Sequence, residues 1–222
     1  MKPGTKPQGK VKIKWSSNFA YAIGLIATDG CLSGDGRHIE FTSKDQGQVE
    51  NFKKCLKAKQ RITKKARGGE VEKRYYRIQI GDVLFWQFLE SIGLTPAKSK
   101  TMGKINVPSE YFFDFLRGLH DGDGTFYSYF DPRWKSSFMF YLEFISASPK
   151  HISWLREELK ERLGVWGHVT KDGRKLTGQL KYAKKESLVI IKSMYKRING
   201  VYLVRKKLKI QKALGIIGHK LG

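Results

Sequence analysis

Two nine-residue stretches, Ala22-Ile23-Gly24-Leu25-Ile26-Ala27-Thr28-Asp29-Gly30 and Leu116-Arg117-Gly118-Leu119-His120-Asp121-Gly122-Asp123-Gly124, decide how the chain is read. Both are rich in apolar residues, both carry small residues four apart, and both end on Asp-Gly. The small positions are Ala20, Gly24 and Thr28 in the first and Gly118 and Gly122 in the second. A stripe without bulky side chains lets two helix backbones approach closely. With the stripes face to face, the helix ends meet on a pseudo-twofold axis, and Asp29 and Asp123 meet with them. Two carboxylates at the negative ends of two helix dipoles repel each other and their own helices. A cation is expected there. A divalent ion with hard oxygen ligands fits best, with the last-turn carbonyls of Thr28 and Gly122 as further ligands. Such a centre suits metal-assisted phosphodiester hydrolysis. Asp35-Gly36 and Asp172-Gly173 read only as turns.

Working outward, each stretch is followed by the same order of elements. Ser16-Ser17-Asn18 caps a helix over Phe19 to Asp29, closed by Gly30 as a C′ glycine. A hairpin follows through Cys31-Leu32-Ser33 and residues 38–44, and Asp45-Gln46-Gly47-Gln48 resembles a capping box opening the next helix. A second hairpin turns at Gly68-Gly69, and a helix covers residues 82–92. From Pro108 the order restarts: a helix to about Asp121, a longer hairpin over 126–146, and a helix from Ser148-Pro149 to about Leu163. A hairpin turning at Asp172-Gly173 and a helix over 186–197 complete it. Gly24-Leu25 and Asp29-Gly30 recur 94 residues later, Glu40-Phe41 recurs at 103 and Leu84 at 104. The chain is therefore an internal duplication with a nine-residue insertion in the second half, around residues 127–138. It divides into a basic arm (1–14), two repeats (15–106 and 107–204) and a basic C-terminal segment (205–222).

The 222 residues include 43 Lys+Arg against 20 Asp+Glu, a formal net charge of +23. Such an excess calls for an anionic partner, nucleic acid first and an anionic membrane surface second. No run approaches the ~18 consecutive apolar residues of a membrane span. The basic N-terminus has no apolar stretch behind it, so no secretory signal is expected. Two cysteines, Cys31 and Cys55, exclude a disulfide scaffold and a Cys-rich zinc site. An intracellular location follows, in cytoplasm or an organelle matrix.

Both nonapeptides resemble the LAGLIDADG motif. Over roughly residues 15–210 the chain resembles a single-chain, two-repeat LAGLIDADG homing endonuclease. The first copy departs from the motif at Ala27, where the pattern has its first Asp. The resemblance implies an α+β fold of two αββαββα repeats, each with a saddle-shaped antiparallel sheet, joined by paired motif helices packed at Gly24 and Gly118. It implies a double-strand break with 3′ overhangs, made with Mg²⁺, for which Mn²⁺ or Ca²⁺ can substitute in binding. The acid before the final Gly binds metal in the family, which points to Asp29 and Asp123. Asp121 has no partner in repeat one and is not expected to be a ligand. The family also carries a basic residue from each half near the scissile phosphates. Lys98 and Lys206 are the choices, with Lys100 and Lys207 competing. Asp45 and Ser148 match positions that order water near the metals, and each also makes a good N-cap.

Sequence-specific contact falls to the sheets, where alternate residues face opposite sides. Ile39, Phe41, Ile78, Ile80, Leu142, Phe144, Leu180 and Tyr182 mark the core face. The opposite face shows His38, Glu40, Thr42, Lys44, Tyr75, Arg77 and Gln79 in repeat one. In repeat two it shows Tyr127, Tyr129, Tyr141, Glu143, Gln179 and Lys181, and the inserted tip adds Arg133 and Lys135. Two such sheets end to end cover roughly 16–20 base pairs of double-stranded DNA. The halves differ, so the site is expected to be asymmetric and the protein a monomer needing no protein partner. The alternatives are a maturase binding intron RNA and a non-catalytic DNA-binding protein.

Overall fold

The computed structural model describes residues 9–66, 71–134, 136–171, 177–196 and 200–221. Of the sequence expectations, most of the basic arm, the Gly68-Gly69 and Asp172-Gly173 turns and Lys135 lie outside them. Helix α1 spans Ser17–Asp29, opened by Ser16, whose hydroxyl accepts the Phe19 backbone N–H. Every residue from Phe19 to Ala27 is buried, as a helix apolar on all sides must be. After α1 come β1 (Gly30–Leu32), β2 (His38–Ser43), α2 (Gln46–Leu56), β3 (Thr63–Lys65), β4 (Tyr75–Gly81) and α3 (Val83–Ser91). Repeat two follows as α4 (Phe112–Gly122), β5 (Thr125–Phe130), β6 (Phe138–Ser146), α5 (Pro149–Leu163), β7 (His168–Lys171), β8 (Gly178–Tyr182) and α6 (Lys184–Tyr195). The basic C-terminal segment forms a further helix, α7 (Val204–Ile216), anchored by buried Ile210, Ala213 and Leu214.

The two sheets have the same antiparallel order, β1-β2-β4-β3 and β5-β6-β8-β7. Cys31 pairs with Glu40 and, at the corresponding place, Thr125 pairs with Glu143. The insertion therefore leaves the register beside the motif helices unchanged and lengthens the hairpin away from them. All eight residues expected on the core face are buried.

The α1–α4 contact depends on glycine. A Cβ at Gly24 would lie 2.8 Å from the Gly118 Cα, and one at Gly118 would lie 3.0 Å from the Gly24 Cα. Both distances are below ordinary carbon contact, and the obstacles are backbone that cannot step aside. Gly118→Ala is expected to lower stability by about 3 kcal/mol, read from the urea midpoint.

Three local expectations are corrected. Gly30 is not a left-handed C′ residue: it is extended (φ −83°, ψ 147°) and begins β1. Glycine is needed there because a Cβ would sit 2.6 Å from the Ile26 Cα. The capping box closes on one side only. Asp45 accepts the Gln48 N–H, but the Gln48 side chain turns away to bond Ser43 and the Asp121 carbonyl. Ser148 does not cap α5 through its hydroxyl, which donates instead to the Met102 carbonyl at 2.5 Å.

Candidate metal and nucleic-acid site

Asp29 is the last residue of α1 and half-buried, and Asp123 is the exposed C-cap of α4. Both stand where their helices present unpaired carbonyls and negative dipole ends. Each end receives one lysine. Lys98, buried in the short turn after α3, donates to the Gly30 carbonyl. Lys206, in the first turn of α7, donates to the carbonyls of His120 (2.5 Å), Gly122 (3.0 Å) and Gly124 (2.7 Å). Asp29 and Asp123 each act electrostatically on both lysines, so the four groups share one small volume. Lys100 is exposed, and Lys207 lies over the Tyr202 ring, so neither competing lysine reaches the helix ends.

Burial is the main influence on both ammonium groups. It pulls Lys98 below its usual range, against the attraction of Cys31, Asp29 and Asp123. It brings Lys206 down to about 8, with Arg205 adding repulsion and Asp121, Asp29 and Asp123 opposing. Between about pH 8 and the unperturbed value near 10.4 the folded protein has released the Lys206 proton while the unfolded chain retains it. Stability contributed at this site rises with pH across that window. Urea unfolding of wild type and Lys206→Met at pH 7 and pH 10 reads it, and wild type should gain on the variant at the higher pH.

Thr28 turns its hydroxyl back to the Leu25 carbonyl at 3.0 Å, and its side chain fills the space a Cβ at Gly122 would need. A cleft of about 520 Å³ opens beside Asp123, lined among others by Thr28, Ser99, Phe144 and Ser146. A second, of about 370 Å³, is lined by Gly124, Arg205, Lys206 and Lys209 and is basic. Asp45, expected to order water, caps α2 and pairs with Arg205 at 2.9 Å.

Asp121 has a part that its unpaired place in the motif did not disclose. It is fully buried, and one carboxylate oxygen accepts both the Tyr21 hydroxyl (2.8 Å) and the Leu203 N–H (2.7 Å). Its carbonyl accepts the Gln48 amide at 2.9 Å. Repeat one, repeat two and the start of α7 are thereby tied at one residue, and α7 carries Lys206. The neighbouring His120 ring is buried, which lowers its pKa and favours the neutral imidazole. Asp121→Ala would strand two buried donors and is expected to cost about 3 kcal/mol, checked by thermal or urea unfolding.

The outer sheet faces carry the side chains that alternation assigned to them. Glu40 holds Arg77 at 3.3 Å and also Lys65, which β3 adds to the set. Glu143 is buried and held by Lys181 at 2.8 Å. Lys44 lies over Tyr75, and Arg133 at the inserted tip pairs with Asp131. His38 is bound to Asp35, while Thr42 donates to Glu40 and Gln79 is exposed. Gln179 stands opposite Ile145 on β6 and Thr170 on β7.

Paired glycine helices, duplicated sheets and an acid–lysine set at each helix end are what the chain brings to the comparison with known proteins. Residues 16–93 match the family model of the LAGLIDADG-like domain, so repeat one carries that domain. Among solved structures the chain is similar to the meganuclease I-SmaMI bound to uncleaveable DNA with a TTGT central four (14% identity, 92% of this chain and 91% of that one, TM-score 0.59). It is also similar to the LAGLIDADG homing endonuclease I-LtrWI bound to target DNA (13% identity, 90% of each chain, TM-score 0.58). A third is the N-terminal LAGLIDADG domain of DUF199/WhiA (18% identity, 81% of this chain and 82% of that one, TM-score 0.53). At such identities the likeness is one of fold, and that fold is the two-repeat LAGLIDADG fold. No curated protein is significantly similar in sequence.

Proposed function

We propose that the protein is a divalent-metal-dependent endonuclease that makes a double-strand break in a long, asymmetric DNA site. One observation carries the reading: each motif helix ends in an acid, Asp29 or Asp123, with a lysine, buried Lys98 or half-buried Lys206, at the same end. Fold alone does not decide it, because the WhiA domain shares that fold. A DNA-binding protein without catalysis has no need of two equivalent acid–lysine sets at one axis.

The donor set fits Mg²⁺. Among the described residues no group of three or more His, Cys, Asp or Glu side chains could hold a metal. Each motif helix would offer one carboxylate, Asp29 or Asp123, and leave the remaining positions to water, backbone carbonyls and substrate phosphate, the usual style of Mg²⁺ binding. Bound there, Mg²⁺ supplies polarisation of the scissile phosphate and a more acidic water. Asp29 and Asp123 would hold the ion. Lys98 and Lys206 place positive charge beside the phosphate as negative charge builds on it. The basic cleft at Arg205, Lys206 and Lys209 offers a seat for a backbone phosphate beside repeat two. The net charge of +23 draws the duplex in.

The test is cleavage of a library of long randomised duplexes with Mg²⁺ or with EDTA. Fragments with 3′ overhangs are expected only with Mg²⁺, and hydroxyl-radical footprints should cover roughly 16–20 base pairs. Duplex retained by the protein but uncut in Mg²⁺ would overturn the nuclease reading in favour of the DNA-binding one.

A further inference from the structure

We propose that repeat two reads its half of the duplex through the C5-methyl groups of thymine and therefore takes an A·T-rich half-site, while repeat one does not. This rests on the DNA reading above. The observation is a difference between two equivalent faces. On the outer side of β5 and β6 stand Tyr127 opposite Tyr141 and Tyr129 opposite Met139, with Ile145 further along β6. They alternate with buried Phe126, Phe140, Leu142 and Phe144 and so are not core. Tyr129 is 41% exposed. The corresponding strands of repeat one, β1 and β2, carry Cys31, His38, Glu40 and Thr42 on that side, with no pair of tyrosine rows, and β3 and β4 add Lys65, Tyr75, Arg77 and Gln79.

The three tyrosines form a row of nearly parallel rings. Interplanar angles are 9–18° and centroid separations 5.3–6.5 Å. The Tyr129 hydroxyl neighbours Tyr141, and Tyr127 neighbours the Lys181 ammonium. Lys181 is itself bound to Glu143 at 2.8 Å and sits 5.6 and 5.9 Å from the Tyr127 and Tyr141 centroids. Beyond those hydroxyls the face presents ring and side-chain carbon, to which Met139 and Ile145 add. In the major groove the apolar feature a base pair offers is the thymine methyl. Successive rows on a strand are about 6.7 Å apart, near the span of two base pairs, so the two tyrosine rows cover about two to four adjacent pairs. The occupant is a duplex and not an apolar protein surface, because the face belongs to a chain of net charge +23 and adjoins the basic cleft at Arg205, Lys206 and Lys209.

The experiment selects duplexes from a randomised library with the full chain in Ca²⁺ and sequences the retained pool. One half of the selected site should be enriched in A·T pairs. That enrichment should vanish at those positions alone with Tyr127→Gln/Tyr141→Gln. The second arm keeps the wild-type protein and replaces thymine by uracil, one half-site at a time. Affinity should fall about fourfold for each methyl removed under repeat two and stay unchanged under repeat one. Retained duplexes without A·T enrichment in either half, or uracil duplexes bound equally well, would overturn this proposal and leave the DNA reading standing. Failure to retain any duplex would overturn both.

Discussion

Asp29→Asn or Asp123→Asn is expected to abolish double-strand cleavage, lowering the rate by ~10³-fold or more. Asn keeps an oxygen and nearly the same volume, so the helix ends stay packed. What goes is the charge that holds a divalent ion at the negative end of the helix dipole. Two features of the centre sharpen the expectation. The described residues offer no third acidic or imidazole ligand to take over, and Lys98 and Lys206 are placed to hold the helix ends together without the carboxylates. Duplex affinity should stay level or rise, since each substitution removes a negative charge facing phosphate. Single-turnover cleavage and filter binding on the same duplex separate the two effects. Wild-type cleavage by either variant would remove Asp29 and Asp123 from the reaction.

The second large effect is ionic. Between 50 and 200 mM salt, affinity for a cognate duplex is expected to fall ~10³-fold or more, because several phosphates per half release counterions. The basic cleft of repeat two predicts where part of that slope resides. Lys209→Gln, exposed and outside the acid–lysine centre, should weaken binding and reduce the slope by about one unit. A flat salt response would mean that the charge of +23 serves something other than a duplex backbone.

Much of this could be read along the chain. Gly24 and Gly118 stood out because close helix packing tolerates no side chain, and Cβ positions built on them fall on backbone atoms of the other helix. The core strands were legible from period-two alternation, and the insertion from the shift in motif spacing. Asp29 and Asp123 were legible because two acids ending two equivalent helices make a pattern that one Asp-Gly does not. Alternation also identified the outer faces, though not what their side chains do to one another.

Which lysine reaches the centre was decided only in three dimensions. Lys98 and Lys100 share one short turn, and Lys206 and Lys207 share one turn of helix. Spacing cannot tell which neighbour points inward, because that depends on how each segment docks against helices far away in sequence. Docking turns Lys98 toward Gly30 and Lys206 toward three carbonyls closing α4. The same holds for Asp121, whose partners Tyr21 and Leu203 come from the other repeat and from the N-cap of α7, 82 residues further on. Glu40 and Glu143 read from the sequence as members of the outer, DNA-facing set, and the fold occupies both with cations from neighbouring strands. Local patterns determined where helices, strands and paired acids lie, because these follow from near-neighbour sterics and burial. Which charge meets which was settled by contacts between residues dozens to more than a hundred positions apart, a distance over which composition and periodicity carry no information.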